Sequence, residues 1–271
     1  MLLARAAPYA SHRENYSTLF DVTTMAPLVD GPPFVRALEE LAADAKLGAA
    51  EQLDYDPAAV RAAFWHGRCG LALTWPSAAE KIPQPWDKRV RVLTVELPGA
   101  VEVYQVNDRA WEKRRPDEDS HVPLLGAGGR LGMVVKQSPS PEAAFHLLLW
   151  LSDPQWSRQA SAASPATTLF RRSQVKSARA WVEEPMPSAA AGQYAAITEQ
   201  TLNRAQCLFA LRIPGRAEYL AALDDAVRQT VRGELSAQAA LRKAADRWRQ
   251  ITARYGADSQ RQAYFDSLGV E

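Results

Sequence analysis

The sequence predicts an α/β protein. Apolar residues recur at helical spacing behind proline-rich starts, and between those segments lie short Val/Leu-rich runs that alternate with polar residues at period two. The composition, 47% hydrophobic and 23% charged over 271 residues, falls in the range of folded, soluble globules. That length suits one large domain or two modest ones.

In chain order, Pro32 and Pro33 start a helix over about 33–46, with Phe34, Leu38, Leu41 and Ala45 on one face. Asp56-Pro57 supplies an N-cap and a first-turn proline for a second helix, and Gly67 supplies its left-handed stop. Cys69–Trp75 reads as a buried strand closed by Pro76. Arg89–Leu97 and Val101–Val106 alternate around Pro98-Gly99-Ala100, which predicts two strands and a turn. Asn107–Ser120 reads as a charged loop and Met133–Val135 as strand-like. Ser138–Glu142 opens a helix reaching Leu151, and Asp153-Pro154 caps another over roughly 154–163. Residues 164–193, rich in Pro, Ser and Ala, read as connecting or surface segments. From Arg216 the chain is helical nearly to its end, broken at Gly233–Ser236. One stripe carries Tyr219, Leu223, Val227 and Val231, and another carries Leu241, Ala245, Trp248, Ile251 and Tyr255.

Several function classes drop out. A net charge of +1 supplies no field to hold a polyanion. Two cysteines, Cys69 and Cys207, imply no disulfide framework and no Cys-x-x-Cys zinc site. The longest apolar run, Phe145–Leu151, is far shorter than the ~20 residues of a membrane span.

The candidate chemistry is sparse. Gly126–Gly132 looks like a dinucleotide loop, but Leu131 stands where the third glycine belongs and a β-type segment follows. It reads as a turn whose backbone N–H groups can approach a ligand. His66 and Cys69 lack further ligands at metal spacing, and a Cys/His nucleophilic site lacks a third, orienting group. Asp117–Asp119 reads as a solvated loop, and no pair of catalytic carboxylates stands out. Trp75, in a loop position before Pro76, is the aromatic placed to stack on a sugar ring or cation. Trp150 and Trp248 lie on apolar helical stripes and read as core.

The order of segments resembles the extracytoplasmic solute-binding proteins of ABC transporters, carbohydrate-binding cluster, of the maltose and glycerol-phosphate binder type. The likeness runs through Phe20-Asp21, Pro32–Leu38, the Phe64–Pro76 passage, Val95–Gly99, Leu125–Gly129, Pro141–Ser152 and Arg216–Trp248. Leu73, where Met is common in the family, and His66–Cys69 depart from its pattern.

The resemblance implies a periplasmic-binding-protein-like (type II) two-lobed fold. It implies a small, saccharide-like solute held between the lobes for ABC permease subunits, with no reaction, no cofactor and no metal. By position it assigns ligand contacts to Trp75, to the Gly128-Gly129 turn with the following Arg130, and to Arg216 and Tyr219. It also implies that most of an N-terminal lobe is missing: residues 26–120 and 170–271 form a C-terminal-type lobe, 121–169 a fragment of the other lobe, and 1–25 a lead-in. An extracytoplasmic location follows from the family, whereas the chain as written carries no signal peptide and is expected to stay in the cytoplasm. The alternatives are a carbohydrate-active hydrolase and an interaction module derived from the binding fold without a transport role.

Overall fold

The computed structural model describes residues 1–77, 91–126, 132–156, 169, 171–183 and 186–269. The architecture is mixed helix and sheet, mostly helical, with two small two-stranded sheets. The chain divides into two compact units. The first holds 1–53, 97–127 and 204–271, and the second holds 54–96 and 128–203, so five chain segments alternate between them. This division differs from the one read from the sequence. Residues 1–25 belong to the first unit, with Leu2, Leu3, Tyr9, Leu19 and Phe20 in its core, and the segment after residue 170 is split at 203/204.

The first unit is built on helices. α1 (Leu2–Ala10) is almost wholly buried. It packs against α2 (Pro32–Ala45), which starts where the two prolines predict, and against strand β1 (Glu102–Gln105). β1 pairs antiparallel with β2 (Ala110–Lys113), Glu102 opposite Lys113 and Gln105 opposite Ala110. The second strand lies inside the stretch read as a charged loop. Its side chains are largely exposed, so its sequence lacks the apolar alternation of a half-buried strand. Arg109 takes a left-handed φ of 52° in the connecting turn, which lets the hairpin close tightly.

A parallel bridge joins β3 (Leu124–Leu125) to β4 (Leu208–Phe209). The long C-terminal helices of this unit are α7 (Arg216–Val231), α8 (Ala237–Tyr255) and α9 (Ala257–Leu268). Gly215, at φ +79°, turns the chain into α7, and the Ser236 hydroxyl caps α8 by accepting the Ala239 N–H at 3.3 Å. The two stripes read from the sequence meet, with Tyr219, Leu223, Leu241, Ala245, Trp248 and Ile251 all buried. Tyr255, placed on the second stripe, stays exposed. Phe20 sits among three aromatic rings, 4.9 Å from Trp248, 5.2 Å from Tyr264 and 5.7 Å from Tyr219. The polar edges are satisfied, since the Trp248 indole N–H donates to the Tyr219 carbonyl at 2.8 Å and the Tyr219 hydroxyl meets Thr252 Oγ1 at 2.9 Å.

In the second unit, α3 (Pro57–Trp65) is capped as predicted, with Asp56 accepting the Ala59 N–H at 2.7 Å and Gly67 at φ +70° after its end. α5 (Arg172–Val175), a 3₁₀ turn over Ala178–Trp181 and α6 (Ser188–Leu202) enclose a small core. Trp181, Val182, Met186, Tyr194 and several alanines make up that core. α6 falls partly in the stretch read as connecting segments. Alanine and serine carry little amphipathic signal, but small residues let the helix approach its neighbours closely.

Three strand readings fail here. Residues 69–75, 91–97 and 133–135 belong to no sheet, because an extended segment becomes a strand only when a neighbour pairs its backbone, and residues 89 and 90 of the second reading lie outside the described residues. Residues 91–97 still alternate: Thr94 donates its N–H to Gln193 and Glu96 accepts from Thr201 and Gln200, while Leu93 and Val95 are 73% exposed. α4 (Pro141–Leu151) begins where the prolines place it but buries none of its residues. Trp150, read as core, is 53% exposed and stacks on Trp156 with ring centroids 4.7 Å apart. Of the helix read over 154–163, residues 154–156 are helical and the remainder lies outside the described residues. Among the described residues no helix is long and apolar enough to cross a membrane.

Candidate functional site

The site lies within the second unit and grows from α3. Arg61 and Trp65, four residues apart, share one side of this helix. After Gly67 the chain returns along α3, where the Thr74 hydroxyl reaches the Pro57 carbonyl at 3.4 Å. The Arg61 guanidinium, 3% exposed, donates from Nη1 to the Trp75 carbonyl at 3.2 Å and to Thr74 Oγ1 at 3.4 Å. Its Cζ stands 5.7 Å from the centre of the Trp75 ring, within cation–π range. Trp75 itself is 37% exposed. A buried cation thus grips the backbone and the ring of an aromatic that reaches solvent.

The countercharge is Glu183, just after the 3₁₀ turn. Its side chain is 1% exposed, with Oε1 4.0 Å from Arg61 Nε. Arg179 holds the backbone of this stretch by donating to the Val182 and Glu183 carbonyls at 3.4 and 3.1 Å. Neither carboxylate oxygen of Glu183 accepts a hydrogen bond of good geometry. Burial pushes the Glu183 carboxyl up from the ordinary glutamate range. Backbone N–H groups of Glu183 itself and Ser77, the Trp65 side chain and the Arg61 charge pull it the other way without overcoming the burial. Removing one partner of such a pair is costly because the other charge stays buried.

Two cavities lie in the first unit among the described residues. One, of about 320 Å³, lies between the 11–19 segment and the 205–211 segment. His12 lines it, fully buried, its Nδ1 accepting the Glu14 N–H at 3.1 Å and its Nε2 facing Glu112 at 3.2 Å. The other, of about 290 Å³, is lined by Asp30, Phe34, Tyr104 and Arg109 among others. Among the described residues no cluster of His, Cys, Asp and Glu could hold a metal ion.

The residues singled out from the sequence fare unequally. Trp75 is 37% exposed, in a segment that belongs to no helix or strand. Gly128, Gly129 and Arg130 lie outside the described residues. Arg216 is exposed at the first turn of α7. Tyr219 is wholly buried, its ring against Phe20 and Trp248 and its hydroxyl on Thr252, so its side chain serves the core of the first unit and is closed to a ligand. Trp75 belongs to one unit, Arg216 and Tyr219 to the other. Sequence reasoning missed Arg61 and Glu183. An arginine at an inward position of a short helix was the available signal, but its acid lies far along the chain.

The chain matches no protein-family model and no curated protein sequence.

Proposed function

We propose that this chain binds a small, saccharide-like solute and passes it on unaltered, as the extracytoplasmic receptor of an ABC transporter permease. The observation that carries the reading is the partly exposed Trp75, gripped from within the protein by Arg61. A flat aromatic surface in water suits the apolar C–H face of a sugar ring, and its fixed placement lowers the ordering cost of binding. The alternation of the chain between two compact units accords with a two-lobed receptor of the type II kind, as does the order of segments through Phe64–Pro76 and Pro141–Ser152.

Titration calorimetry with maltose, glucose and glycerol 3-phosphate tests the proposal. Saturable binding that weakens in Trp75→Ala supports it. Multiple turnover of any glycoside by the purified protein, lost on replacing a carboxylate, overturns it in favour of a hydrolase.

A second reading rests on α4, whose Phe145, Leu147, Leu149 and Trp150 are each more than half exposed. Exposed large apolar side chains gathered on one helix mark contact surfaces in general, and they favour an interaction module without a transport role.

A further inference from the structure

We infer that Glu183 and Arg61 act as a buried bracket that fixes the orientation of the Trp75 indole, making both of them positioning residues for the surface that the solute meets. The inference deepens the solute-binding reading and rests on it for its functional consequence.

Three observations meet at this point. The first is geometric. Arg61 reaches Trp75 twice, through the carbonyl at 3.2 Å and over the ring at 5.7 Å, so backbone and side chain of the same residue are fixed by one planar group. The second is that both charges of the pair are withdrawn from water, at 3% and 1% exposure. An exposed arginine samples many rotamers, whereas a buried one facing a buried carboxylate keeps a single arrangement. The third is where Glu183 stands. It follows Trp181 and Val182 in the core of the second unit, and Arg179 clamps its backbone. The carboxylate is therefore fixed by the core and Arg61 by the carboxylate, and Trp75 takes its position from Arg61. A binding surface works when the residues behind it are locked.

The test uses the whole chain labelled with 5-fluorotryptophan, the Trp75 resonance being assigned by its loss in Trp75→Phe. Glu183→Gln keeps the size of the side chain and removes the charge. It is expected to move the ¹⁹F resonance of Trp75, to leave that of Trp248 in the first unit in place, and to weaken maltose binding by about tenfold, the scale of one misplaced aromatic contact. Arg61→Lys keeps a cation beside Glu183 but removes the planar group over the ring. It is expected to move the same resonance, and it carries the test where Glu183→Gln does not fold. A merely structural pair would lower the melting temperature and leave the Trp75 resonance of the folded protein unmoved, and that outcome in both variants overturns the bracket. If the resonance moves while the wild-type protein takes up neither maltose, glucose nor glycerol 3-phosphate, the bracket stands and the solute-binding reading falls.

Discussion

The first unit buries Trp248, Tyr219, Phe20 and Phe34 almost completely and gives the polar edges of Trp248 and Tyr219 hydrogen-bond partners. The second unit closes a small core of alanines around Trp181 and Tyr194, buries an arginine and a glutamate, and leaves α4 without a buried residue. Large interlocking aromatics bring many contacts and little conformational freedom, so the first unit has the character of a scaffold. A small core crossed by an ion pair yields less stability per residue but can hold one group in place. The contrast assigns stability mainly to the first unit and positioning chemistry to the second.

The largest expected effect tests the scaffold half of that contrast. Trp248→Ala removes a fully buried indole and its hydrogen bond to the Tyr219 carbonyl. It should cost about 3–5 kcal/mol in urea unfolding, the range of large-to-small core truncations. A cost below about 1 kcal/mol would break the comparison at its stronger side.

Next in size is the exposed aromatic of the second unit. Trp75→Ala should weaken solute binding by roughly 1–3 kcal/mol if the ring stacks on the ligand. Stability in urea should change far less than in Trp248→Ala, because over a third of the Trp75 surface is already in water. Equal calorimetric affinity of wild type and variant removes Trp75 from the site.

The two units should also answer pH with opposite signs. In the first, burial pushes the Asp119 carboxyl up, but the His121 N–H at 2.9 Å and Arg204 at 2.7 Å outweigh it and hold the group below the ordinary aspartate range. Its stabilising contribution is complete above the unfolded value and is lost as pH falls through the lowered one. Glu183 behaves inversely. Its carboxyl is held above the ordinary range, so the penalty is absent below the unfolded value and grows as pH rises through the raised one. Hydrogen-exchange protection followed from acid to neutral pH should rise around Asp119 and fall around Glu183. Asp119→Asn should flatten the first trend and Glu183→Gln the second; trends of the same sign in both units would contradict the assignment.

What the sequence discloses divides along the same line. Helices announced by local chemistry are legible: Pro32-Pro33 for α2, Asp56-Pro57 for α3, Pro141 for α4, and the Tyr219 and Trp248 stripes for α7 and α8. These signals act within a few residues of the element they start or bury. Strands are not legible in this way. The Leu/Val runs at 71–73, 91–97 and 133–135 have the composition of strands, yet pairing depends on a distant neighbour, and among the described residues none pairs them. The site follows the same rule. Trp75 stands out because it is aromatic and precedes Pro76, whereas the Arg61–Glu183 pair exists only once the core has brought α3 and the residues after the 3₁₀ turn together. Tyr219 shows the converse error, since resemblance placed on a ligand surface a ring that periodicity had already placed on a buried stripe.

The smallest expected effect bears on α4, where the periodicity argument misleads most. Leu147 and Leu151 repeat at helical spacing and Trp150 reads as core, but they are 54%, 45% and 53% exposed. A side chain that keeps half its surface in water has already forgone much of the transfer free energy that a buried one gains, at about 25 cal/mol per Å². Leu147→Gln, which retains good helix propensity, should therefore change unfolding stability by no more than about 0.5 kcal/mol. Leu241→Gln in the first unit, at a fully buried position of α8, should cost several times more by placing an unpaired amide in an apolar core. Solubility should move the other way. Leu147→Gln should raise the concentration at which light scattering first reports association, because it removes one of the exposed apolar side chains of α4. If Leu147→Gln instead costs about as much as Leu241→Gln, the α4 face is covered in the folded protein, and the division between scaffold and positioning unit would have to be redrawn around a second apolar core.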